Sequence, residues 1–172
     1  MLLIHAFLLG WSATRQSPTR FEPEHVVAGL SHVLVGRFDL FRVNPPLVRM
    51  VASVPVLAAS PEVDWKHYDA DPFLRSERDV SQDFFAANGP RACWLITLAR
   101  WACIPFSLVG GYYCFRWACQ LYGNAAGLTA EALWCFCPYV LGHALLVTSD
   151  AQAAAVGLVA GYVLWVWLSG PR

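Results

Sequence analysis

From Cys93 to Leu168 the chain is almost unbrokenly apolar, and that run limits the possible folds more than any other feature. Gly123-Asn124 and Thr148-Ser149-Asp150 divide it into three stretches: Cys93 to Leu121, Ala125 to Val147 and Ala151 to Leu168. A helix that crosses a bilayer needs about 20 apolar residues. Each stretch comes near or passes that length, so the sequence predicts three transmembrane helices within 93–168. Composition agrees: 57% of the 172 residues are hydrophobic and 14% charged, against about 25% charged in soluble domains. The expected fold class is an all-α membrane protein, a multi-span helical bundle with a long outer loop carrying amphipathic helices.

The rest of the chain fits around that bundle. Residues 1–12 are apolar but too short to span, and they lack the basic start of a signal peptide. They are expected to be an incomplete first transmembrane helix. Residues 13–92 are mostly polar and are expected to form the first outer loop, and 169–172 a short tail. Twelve basic residues balance twelve acidic ones, so nothing points to nucleic acid as a partner. The six cysteines show no paired C-x2-C zinc spacing and are expected to behave as small buried hydrophobes.

Within the loop, Pro23 suits the first turn of a helix, where its missing N–H costs nothing. Val26, Val27, Leu30, Val33 and Leu34 then recur at helical spacing. The opposite stripe carries Glu22, His25, Gly29, His32 and Gly36, where glycine would let a substrate or another helix come close. Asn44-Pro45-Pro46-Leu47 forces an extended turn. Leu47 to Ala59 reads as an interfacial or re-entrant helix, and a further short helix is expected near Arg75 to Ala87.

Topology follows by counting spans. The long loop and Asp150 fall on one side of the membrane, Arg116 and Arg172 on the other. Positive-inside counting makes the arginine side cytoplasmic and the loop periplasmic or extracellular. The expected location is the plasma (inner) membrane, with membrane lipid as a partner.

Several residues could carry chemistry. Glu22 and Glu24 stand in a helix's first turn, where carboxylates complement the helix dipole; at a membrane surface either could act as a general base. Asp150 could cap the helix that follows it. Arg49, and Arg100 inside a span, could grip a lipid phosphate by paired hydrogen bonds. His25 and His32 stand seven apart, not at the four-residue spacing of a helical metal pair, so no metal ligand is assigned. A divalent cation is compatible with Glu22 and His25 on one stripe but not required, and the cofactor is left open.

These residues together carry a resemblance. Glu22-Pro23-x-His25, the helix with Gly29, Gly36-Arg37-Phe38-Asp39, Asn44-Pro45-Pro46-Leu47 and a later Asp150 at a span end resemble the N-terminal part of GT-C class membrane glycosyltransferases. That class includes the protein O-mannosyltransferases and the aminoarabinose transferases of lipid A. The resemblance implies a partial GT-C fold and an inverting sugar transfer from a polyprenyl-phosphate donor at the outer face. It assigns catalysis to Glu22, Glu24 and Asp150, and substrate binding to His25, Asn44, Arg49 and Arg100. The family's acidic pair normally precedes the proline as Asp-Glu. Here Phe21 holds the first position, so the base falls to Glu22 or Glu24. Members of the class are several times longer, which implies an N-terminal part, inactive alone. The alternative is a non-enzymatic multi-pass protein, a scaffold or assembly subunit or a degenerate copy; Phe21 and the short length favour it.

Overall fold

The structure, a computed structural model, describes residues 1–69, 71 and 73–170. Ala70, Pro72, Pro171 and Arg172 lie outside the described residues, and with them the tail arginine used for positive-inside counting. Eight helices form the described part, with no strand among the described residues. They are α1 (Leu2–Ala13), α2 (Glu22–Leu34), α3 (Leu47–Ala58), α4 (Glu77–Asn88), α5 (Arg91–Tyr122), α6 (Asn124–Phe136), α7 (Pro138–His143) and α8 (Asp150–Ser169).

The chain divides into two compact units. One comprises Ser12–Cys103 and Leu146–Ser149; the other comprises Met1–Trp11, Ile104–Leu145 and Asp150–Arg172. The division falls within α5 beside Pro105, whose ring removes a backbone donor and crowds the preceding turn.

The first unit is built around α2. Eleven of its thirteen residues are buried, so it is a central helix rather than the two-faced surface helix its apolar stripe predicts. Val26, Val27 and Leu30 form one buried core with Val48, Ala52 and Val56 of α3, Val80 and Phe84 of α4, and Leu95, Ile96 and Ala99 of α5. Val33 and Leu34, expected on the same stripe, are exposed at the helix end. The polar stripe is covered too: Glu22, Glu24, His25 and His32 are all buried. At Gly29 a Cβ would overlap Ser53 Oγ and the Arg49 carbonyl oxygen of α3. The glycine therefore admits a helix rather than a substrate. Gly36 ends the segment with φ +70°, a left-handed turn that glycine enters without strain.

Among the described residues, α5, divided between the two units after Cys103, and α8 of the second unit are the two helices long and apolar enough to cross a membrane, with mean hydropathies of 1.6 and 1.7. The stretch predicted as a further span, Ala125 to Val147, is not one helix. α6 stops at Phe136, Cys137 turns extended at φ −62°, ψ 122°, and Pro138 opens the one-and-a-half-turn α7. The cause is local, because a residue before proline is pushed out of the helical region. Thirteen residues of α6 rise only about 20 Å, short of the roughly 30 Å apolar layer.

Candidate functional site

The first unit holds a buried ion pair. Arg100 Nε donates to Glu22 Oε1 at 2.8 Å and Nη2 to Oε2 at 2.7 Å, with side-chain exposures of 1% and 0%. The rest of the guanidinium is also used. Nη1 donates to the carbonyls of Ala13 and Gln16 at 3.1 and 2.7 Å, and Nη2 to that of Ser17 at 3.0 Å. The carboxylate further accepts from the Thr19 N–H and hydroxyl at 2.8 and 3.0 Å and from the Val147 N–H at 3.3 Å. Burial pushes the Glu22 carboxyl up, but the hydrogen bonds from Arg100 and Thr19 outweigh it and leave its pKa below the ordinary value. All five guanidinium donors end on the chain itself, so Arg100 has none left for a phosphate. Glu22, ionised and saturated, is arranged as a structural anion that pins the segment between α1 and α2, not as a base reaching for a hydroxyl.

Arg49 is held by the chain through two of its donors, while its buried Nε has no hydrogen-bond partner among the described residues. It is 3% exposed, and its Nη1 and Nη2 donate to the carbonyls of Phe41 at 2.7 Å and Asn44 at 2.6 Å. That clamp explains the turn before Pro45: Phe41 is held at φ +52°, a conformation that costs a bulky residue energy. Asn44 Nδ2 donates to Ser149 Oγ at 2.8 Å, tying the turn to the short stretch after α7. His25 packs its ring 4.1 Å from that of Phe41. His32 donates through Nδ1 to the Arg37 carbonyl at 2.7 Å and stacks on Phe38; burial keeps its pKa below the usual value. Asp39 gathers Arg37, Arg42 and the Tyr68 hydroxyl at 2.8, 3.1 and 2.8 Å. Tyr68 is pushed up to about 12 by burial and by Asp39. The Gly36-Arg37-Phe38-Asp39 motif is thus a stapled corner.

Glu24 is different. Its residue is 5% exposed, yet its carboxylate accepts no hydrogen bond among the described residues and lines a cavity of about 180 Å³ with Arg20, Phe21, Arg75, Glu77 and Arg78. Burial, then the charge of Glu77, raises its pKa against the pull of Arg75, Arg20 and Arg78. Arg75 Nε donates to Glu77 Oε1 at 2.7 Å, and Arg20 lies over the Phe21 ring at 5.6 Å. The side chains of Arg20 and Arg78 make no hydrogen bond among the described residues. A carboxylate with a raised pKa beside guanidinium groups can take a proton and stabilise an oxyanion in one place. Phe21 forms one wall.

Of the residues singled out in the sequence, the fold brings Glu22 to Arg100 and Asn44 to Arg49. Glu24 stands in the cavity, apart from both pairs. Asp150 is the exposed first residue of α8 and belongs to the second unit. Arg20, Arg75 and Arg78 were not among the expected phosphate ligands. Arg75 lies just before the Ser76 N-cap of α4 and Arg78 in its first turn, and nothing local joins either to Arg20. No group of three or more His, Cys, Asp or Glu side chains is placed to hold a metal ion among the described residues.

Compared with protein-family models, curated proteins and solved structures, the chain matches none.

Proposed function

We propose that the chain acts as a membrane glycosyltransferase resembling the GT-C class, and that Glu24 is its general base. The acceptor hydroxyl or amine would give its proton to the Glu24 carboxylate as it attacks the anomeric carbon of a polyprenyl-phosphate sugar. The bond from that carbon to the phosphate oxygen breaks, and the departing phosphate gains charge beside guanidinium groups. The observation that carries this reading is the Glu24 cavity: a buried carboxylate with a raised pKa and no internal partner, walled by Arg20, Arg75 and Arg78. A general base works best when its pKa approaches the operating pH, and arginine suits phosphate by its planar fork. The two long apolar helices support a membrane location, and the loop motifs support an outer-face site.

The test is transfer and retention of a radiolabelled polyprenyl-phosphate hexose by membranes carrying the chain. Glu24→Gln should keep donor retention and lose about 10²- to 10⁴-fold in transfer. A chain that inserts but does not retain the donor, or transfer unchanged in Glu24→Gln, overturns the assignment.

A second reading, a non-enzymatic multi-pass protein, draws on the mutual saturation of Glu22 and Arg100 and on Phe21. It expects neither donor retention nor transfer from the same membranes.

A further inference from the structure

The second unit carries a cation that the Glu24 site does not use. Arg116 stands in the C-terminal third of α5, exposed. Its Nε donates to the Tyr162 hydroxyl of α8 at 2.9 Å and its Nη1 to the Tyr112 hydroxyl at 3.1 Å. The guanidinium carbon is 5.7 Å from the Tyr162 ring centroid. Tyr113 and Trp117 pack on that ring at 5.2 and 6.2 Å, and Trp165 on Trp117 at 6.1 Å.

Two features of this cluster call for a ligand. No carboxylate pairs with Arg116 among the described residues, and Nη2 donates to none of them. A guanidinium on an apolar helix is costly without an anion. The two phenols accept from Arg116 and keep their own O–H groups to donate. Guanidinium and phenol donors therefore converge beside an apolar aromatic wall, and Tyr and Trp are the residues that settle at headgroup depth.

We propose that Arg116, Tyr112 and Tyr162 bind the phosphodiester of an anionic membrane lipid. Nη2 and the phenolic hydroxyls donate to its oxygens, and the Tyr113, Trp117 and Trp165 rings lie along its glycerol and upper acyl chains. A soluble phosphate would leave that wall unused. The proposal rests on the membrane location of α5 and α8 but not on the sugar chemistry.

The experiment uses the full chain in detergent and follows its thermal unfolding midpoint during titration with phosphatidylglycerol, phosphatidylcholine or glycerol 3-phosphate. Phosphatidylglycerol should raise the midpoint at lower concentration than phosphatidylcholine, and glycerol 3-phosphate should not raise it. Arg116→Gln should weaken the apparent phosphatidylglycerol affinity roughly fivefold, the scale of one basic residue at a membrane surface. The double variant Tyr112→Phe/Tyr162→Phe keeps the charge and should also weaken it, so the proposal stays testable if Arg116→Gln does not fold. Equal responses to the two lipids, unchanged responses in both variants, or a shift reproduced by glycerol 3-phosphate would overturn it. Alkaline extraction of the chain from membranes separates the failures: a released chain sinks the membrane location as well, whereas a retained chain with no lipid preference sinks this proposal alone.

Discussion

Arg100 and Glu22, 78 residues apart, meet in a two-point ion pair with donor–acceptor distances of 2.8 and 2.7 Å, out of contact with solvent. The pair is the strongest polar constraint in the first unit, because it also holds the carbonyls of Ala13, Gln16 and Ser17 and the amides of Thr19 and Val147.

Removing one partner leaves a buried charge without compensation. Arg100→Met or Glu22→Gln should therefore cost about 3–5 kcal/mol of stability. Combining Arg100→Met with Glu22→Gln should cost less than the sum of the two single changes, because no lone charge remains. Denaturant unfolding of the purified chain checks both, and additive losses would show that the pair is not coupled.

The same pair sets an acid limit. The folded pKa of Glu22 is held below the ordinary carboxylate value, so the folded state binds this proton less readily than the unfolded chain does. The resulting stability is fully present above the unfolded value of about 4.3 and is lost as pH falls through the folded value. Thermal midpoints should drop on acidification below about pH 5, a window set by that unfolded value. Glu22→Gln should flatten this limb of the profile.

Glu24 should behave in the opposite sense. Its raised pKa means that the folded state favours the protonated carboxyl, and stability is lost as pH rises through the folded value. Glu24→Gln should raise the unfolding midpoint near neutral pH while abolishing transfer, the trade-off expected of a site residue held in an unfavourable state. A variant that is destabilised at neutral pH would remove Glu24 from this role.

Gly29 is the close approach between α2 and α3. A methyl group there overlaps Ser53 Oγ, which can rotate away, and the Arg49 carbonyl, which cannot. Gly29→Ala should cost about 1–3 kcal/mol, as overpacked cores do. Adding Ser53→Ala should not restore the loss; full rescue would place the strain on the hydroxyl alone.

The elements were largely legible because their signals are local. Pro23 after Glu22 marks the start of α2, Pro46-Leu47 that of α3, and the run after Asp150 yields a twenty-residue helix, α8. The expected span from Ala125 to Val147 failed for an equally local reason. Pro138 lies inside that stretch, and its ring bars the preceding residue from the helix. The expected two-faced character of α2 failed for a reason outside the helix. Whether Glu22, His25 and His32 face water depends on what packs over them, and residues from α3, α4 and α5 share the core around it.

The sequence by itself determined that this protein is helical, where most of its helices begin, and that α5 and α8 can lie in lipid, since hydropathy and proline act over a few residues. Only the tertiary structure decided which charges are free. A buried guanidinium needs partners for its donors, and Arg100 found Glu22 across 78 residues. Arg49, eight and five residues away, closed on the carbonyls of Phe41 and Asn44. Arg100 is fully used by its own pairings, and Glu24 is left without an internal hydrogen bond among the described residues in a cavity lined by Arg20, Arg75 and Arg78. Local periodicity cannot encode that choice, because it is made by desolvation and by which partner lies within hydrogen-bond reach once the helices have packed.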